Sequence, residues 1–86
     1  MAFHEFKHRG KVLQFSDSDV LMALDDRSRI THDSFMEASR RIVLGHPSSK
    51  VFDDAEFEEI ASMPLGELDK GFQFSMTSLL KSVYAL

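Results

Sequence analysis

The sequence predicts a mostly helical α+β domain: a short N-terminal β-hairpin followed by about four helices, the C-terminal one longest. Three observations predict it. Apolar residues alternate on either side of an Arg-Gly pair in FHEFKHRGKVLQF, and after residue 16 the apolar spacing changes to three and four. Capping residues also recur just ahead of the helical stretches. At 86 residues the chain forms a single small domain, residues 1–86, divided into a hairpin at 1–15 and a helical part at 17–86.

In the hairpin, Phe6 and His8 alternate before Arg9-Gly10, and Leu13 and Phe15 alternate after it. Gly10 suits a turn that needs positive φ. A two-stranded pair is not stable alone in water, so this one must pack on the helices. Ser16 with Asp19 three residues on reads as a capping box for a short helix that carries Val20, Leu21 and Leu24 and ends near Asp26 or Arg27. Thr31 or Asp33 caps a second helix, with Phe35, Ala38, Ser39 and Ile42 at helical spacing and Met36 and Val43 widening the stripe. Gly45, suited to a left-handed cap, and then His46-Pro47 stop it.

HPSSK is the most loop-like stretch of the chain. Asp53-Asp54-Ala55-Glu56 forms another capping box, with Val51 or Phe52 as its hydrophobic staple, and opens a third helix through Ile60-Ala61. In the stretch EEIASMPLGEL, residues 58–68, Pro64 inside a helix would cost ~3 kcal/mol. At the first turn of a new helix that cost vanishes. The stretch therefore reads as a corner, with Ser62 as the cap and Pro64 at the start of the last helix. Leu65, Leu68, Phe72, Met76, Leu79 and Val83 then step by three or four, with Leu80 and Tyr84 beside them. Gly71 lies next to this stripe as a candidate close-approach point, and Phe74 falls off it as a second core contact or an exposed anchor.

Charge is uneven along the chain. Residues 1–50 hold eight Lys/Arg against seven Asp/Glu, a net +1, whereas residues 51–86 hold two against seven, a net −5. An acidic chain has no broad field for phosphate, so nucleic acid is not an expected partner. The acidic half is suited to steering toward a basic protein surface. No apolar stretch approaches the ~18 residues of a membrane span, and the N-terminus lacks the apolar core of a signal peptide. Cys is absent, which excludes disulfides and thiolate metal sites and fits a cytoplasmic location.

Catalytic candidates are sparse. His4 and His8 share one strand face near Glu5, but a metal needs a third ligand and none is evident, so no metal or other cofactor is expected. Thr31-His32-Asp33-Ser34 contains triad residue types, yet local adjacency does not make a triad, and capping explains these residues better. DDAEFEEI lacks the glycine and spacing of a calcium loop and reads as a solvated acidic face. Arg27, Arg29, Arg40 and Arg41 offer bidentate grips for a carboxylate-rich partner, with plain solvation the simpler reading of each. There is no phosphate loop, nucleotide fingerprint or base-stacking platform. The chain is not expected to be an enzyme.

Above background stands the apolar content, with eight Phe and five Met in so short a chain. Either all of it is core, or part remains outside and binds another protein or a second copy. The expected protein-binding residues are Phe72, Phe74, Met76, Leu79, Leu80, Val83 and Tyr84 of the last helix. Glu56, Glu58 and Glu59 are expected to steer the partner.

A short β start, KVLQF, then helical segments, then EFEEIASMPLGELDKGF entering an apolar helix resembles the tail assembly chaperones of long-tailed phages. Their C-terminal part often has the form acidic helix, LPLGEL-like corner, apolar helix. Here it is matched by Phe57, Ile60, Met63, Pro64, Leu65, Gly66, Glu67 and Leu68. The resemblance lies mainly in residues 53–84 and extends elsewhere only in layout. It implies a mostly helical protein of the host-cell cytoplasm that coats the tape-measure protein until tail-tube subunits polymerise around it. The family often makes a longer, frameshifted form that recruits the tube protein. The resemblance gives the N-terminal hairpin and its two His no role. The rival reading is a small phage-encoded inhibitor that binds one host protein, such as a regulator, a type IV pilus assembly factor or a polymerase, and blocks it.

Overall fold

The computed structural model describes residues 3–22 and 30–84. Strands β1 (Phe3–His8) and β2 (Lys11–Ser16) form one antiparallel hairpin, with His8 opposite Lys11 and Phe3 opposite Ser16. Arg9 and Gly10 join them with φ of 51° and 77°. Two positive-φ residues make the tight turn whose twist matches the strands, and glycine meets its second position without strain. Helices α1 (Asp17–Leu21), α2 (His32–Gly45), α3 (Asp54–Ser62) and α4 (Lys70–Tyr84) follow, α4 being the longest at 15 residues. The hairpin-then-helices architecture is the one the sequence predicts.

Local chemistry sets most helix starts. Ser16, Thr31 and Asp53 each accept from the main-chain N–H three residues on, and each donates its own N–H to the side chain there, which completes a capping box. Thr31, not Asp33, is therefore the cap of α2. Phe52 is the staple of α3, its ring set edge-on to Phe57 at 6.4 Å, while Val51 is exposed. The expected continuation of α1 to Asp26 or Arg27, Leu24 on its face, and the arginines at 27 and 29 lie outside the described residues.

Four local expectations are corrected. Gly45 is the last residue of α2 and has no positive φ; the chain leaves through extended backbone at His46. His46 then caps a 3-10 turn, Pro47–Val51, in the stretch expected to be loop, with Pro47 in its first turn. Pro64 does not start the last helix. It precedes a 3-10 turn, Leu65–Glu67, and α4 begins at Lys70. The reason is the choice of cap. Ser62 donates its hydroxyl back to the Glu58 carbonyl at 2.8 Å, whereas the Asp69 carboxylate accepts from Phe72 N–H at 3.2 Å. A charged cap at the positive end of the helix dipole wins. Gly71 makes no close approach: a methyl group there would meet only the Asp69 carboxylate, at 3.6 Å.

The core lies between the inner face of the hairpin and the helices. Phe6, Leu13 and Phe15 from the strands meet Phe35, Met36 and Val43 of α2, Ile60 of α3 and Phe72, Met76, Leu79 and Leu80 of α4. Phe72 is its aromatic centre, 5.0 Å from Phe6 in an edge contact and 5.9 Å from Phe15. In α2 the buried line runs through Phe35, Met36, Ser39, Arg40 and Val43, so Ala38 and Ile42 sit at its margin.

Arg40 is the unexpected member of that line. Its guanidinium donates to the carbonyls of Ile60 (3.3 Å) and Met63 and to both oxygens of Glu37. The last carbonyls of a helix have no partner within it. Arg40 supplies one to the end of α3 and pins the corner that leads to α4. It is not a surface grip for a partner; Arg41, beside it, is exposed.

Candidate functional site

The two ends of the hairpin are built from different residue types. At the tip, His8, Arg9 and Lys11 face α3. Arg9 grips Glu59 through Nε (2.7 Å to Oε1) and through Nη2 to Oε2, and His8 Nε2 lies 3.3 Å from the same carboxylate. Lys11 Nζ donates to Glu56 Oε1 at 2.6 Å, and that oxygen also accepts from Asp53 N–H at 2.9 Å. The Arg9 fork, and then His8, hold the Glu59 carboxyl far down, from 4.5 to about 2. The Lys11 ammonium, with Asp53 N–H, lowers Glu56 in the same sense, and Glu59 raises Arg9.

At the base, the His4 ring bonds Asp17 of α1 and stacks at a tilt on Phe15, 5.5 Å between centroids. Asp19 is kept below the usual carboxylate range, chiefly by accepting from Ser16 N–H, and lies 3.3 Å from His46 Nε2. These pairs tie β1, α1 and the turn after α2 together. Beside them two aromatic side chains stand in the open. Phe3 is 71 % exposed on β1 and Phe74 75 % exposed on α4, and neither ring has an aromatic neighbour among the described residues.

Phe3 and Phe74 flank a cleft of about 340 Å³ whose other walls are His4, Asp17, Leu79 and the serines at 75, 78 and 82. A second cleft of about 460 Å³ continues past Phe3 and Ser75 to Lys7, Asp69 and Gly71, with Glu5 and Gln14 on the strand side. The two share Phe3 and Ser75, and so form one trough between β1 and the outer side of α4. His4, Asp17 and serines meet there, but among the described residues the one hydrogen bond of the His4 ring goes to Asp17. A hydrolytic serine needs its base within hydrogen-bonding reach. Among the described residues no group of three His, Cys, Asp or Glu is placed to hold a metal ion.

The ten residues expected to bind protein divide sharply. Phe72, Met76, Leu79 and Leu80 are buried and belong to the core, Leu79 also reaching the wall of the cleft. Phe74 and Val83 are exposed, and Tyr84 ends α4 with its side chain outside the described residues. Glu56 and Glu59 are occupied by the hairpin tip, leaving Glu58 as the exposed carboxylate of the three. The trough brings Phe74 together with Phe3, a residue the helical stripe gave no reason to single out. The available signal was the strand alternation itself, which sets Phe3 on the face opposite His4 and Phe6.

No helix among the described residues is long and apolar enough to cross a membrane. No known protein family matches the chain, and neither a curated protein nor a solved structure is similar to it.

Proposed function

We propose that this is a non-enzymatic protein-binding protein and, on the resemblance carried by residues 53–84, a tail assembly chaperone whose client is the tape-measure protein of a long-tailed phage. The observation that carries the binding reading is the exposed pair Phe3 and Phe74 on either side of one cleft. An aromatic ring left in water forgoes the stabilisation of burying its apolar surface, roughly 25 cal/mol per Å². Aromatic residues at a cleft are also the side chains that most often anchor protein interfaces. A client in many copies on one long chain needs only modest affinity at each contact.

The small extent of the cleft favours a second reading, a phage-encoded inhibitor that binds one host protein. Stoichiometry separates the two. Light scattering on the complex with a purified tape-measure fragment is expected to show several copies per fragment. A one-to-one complex with a host protein would favour the inhibitor, and no binding to the fragment would sink the chaperone reading.

A further inference from the structure

We propose that the outer edge of β1 receives an extended segment of a partner protein as an added strand, laid in the trough against α4. This inference rests on the protein-binding reading above and gives it a mode and a partner chemistry.

The turn fixes which main-chain groups are free. With a two-residue turn, His8 and Lys11 exchange hydrogen bonds directly, and alternation puts Phe6 with Leu13 and His4 with Phe15 in the same class. Lys7, Glu5 and Phe3 therefore aim their N–H and C=O groups away from β2. Lys7 bears this out, because its N–H donates to Asp69 Oδ2 at 3.2 Å, outside the sheet. Glu5 has no such main-chain bond outside the hairpin among the described residues. Among the described residues the edge is thus closed at Lys7 by a carboxylate and open at Glu5, which lines the larger cleft, and at Phe3, which both clefts share.

Outward groups on every second residue are complementary to an extended backbone, and a helix has no free main-chain groups along its length to offer them. The walls specify the side chains. Phe3 and Phe74 suit an apolar residue between them. Glu5, Asp17 and Asp69 against the single Lys7 favour Lys or Arg near it. A second copy of β1 fits poorly. Antiparallel pairing centred on Glu5 sets that carboxylate against its own copy, and like charges directly opposite destabilise a pair. Shifting the register to face Lys7 needs the N–H that Asp69 already occupies.

The probe is a capped heptapeptide, KTFTVTK, with two twins N-methylated on one or the other alternate set of amides. Calorimetry is expected to show binding by the parent and by one twin, and a loss of about tenfold or more for the other, the value of one hydrogen-bond-sized term. Equal binding of the two twins, or no binding of the parent at millimolar concentration, overturns strand addition. Glu5→Pro removes the outward N–H without touching the β1–β2 ladder, so loss of peptide binding with unchanged circular dichroism is expected. If that variant does not fold, the twins decide. Retained binding of the tape-measure fragment beside a negative peptide result would fail this inference alone, and the converse would fail the chaperone reading alone.

Discussion

At its tip the hairpin meets α3 with three basic side chains, and two carboxylates receive them; at its base Phe3 and Phe74 both line one cleft and stand exposed. The two regions teach opposite lessons about patterns in a sequence. In the most conspicuous charge run, DDAEFEEI, Glu56 and Glu59 are the counterpart of HRGK some 45 to 50 residues earlier and Asp53 caps α3, which leaves Asp54 and Glu58 exposed. An inconspicuous pair of aromatics, Phe3 and Phe74, is left exposed beside one cleft. A surface is available for binding when the fold leaves its groups without partners, and charge density alone does not show that.

Breaking the shared foundation of both ends has the largest expected effect. Phe72 touches both strands of the hairpin, and Phe72→Ala is predicted to cost ~3–5 kcal/mol, removing most of the stability of so small a domain in urea denaturation. Leu80→Asp belongs to the same class, since it buries a carboxylate, and tests folding instead of binding.

Next comes Arg40→Met, which keeps the stem but strands the Ile60 and Met63 carbonyls and frees Glu37. The predicted cost is ~1–3 kcal/mol, with the corner after α3 losing amide-exchange protection first. A change below ~0.5 kcal/mol would mean that Arg40 does not hold the corner.

The pH dependence sharpens the comparison at the tip. The Glu59 carboxyl is lowered from 4.5 to about 2 in the folded protein. Its contribution is therefore complete above about pH 4.5 and is lost as pH falls toward 2. Glu56 and Asp19, also lowered, act in the same direction. Thermal midpoints of Glu59→Gln are expected to fall less steeply than those of the native chain across this window. Parallel curves would detach the tip from α3.

What could be read from the residues was what local chemistry decides. The Arg9-Gly10 turn and the boxes at Ser16, Thr31 and Asp53 depend on groups at most three residues apart, so their pattern is visible in the chain. Arg40 capping a helix 20 residues ahead, and Asp69 serving α4 and the β1 edge together, depend on how elements meet, which no local spacing encodes. The missing N–H of Pro64 suits a helix start, but the stronger cap lies five residues further on, at Asp69. The apolar stripe of α4, expected to bind protein, is buried at Phe72, Met76, Leu79 and Leu80 and exposed at Val83, because helical spacing shows a face and not what covers it. Phe74 was legible because it breaks the stripe.

The most direct test compares both ends of the hairpin in one experiment: amide chemical shifts of the labelled protein during titration with the capped heptapeptide. Binding at the base predicts movement at residues 3–5 and 74–82, stillness at Arg9–Lys11 and Glu56–Glu59, and loss of the response in Phe74→Ser with stability changed by less than ~0.5 kcal/mol. Shifts concentrated at the tip and α3, or a response unchanged in Phe74→Ser, would contradict it.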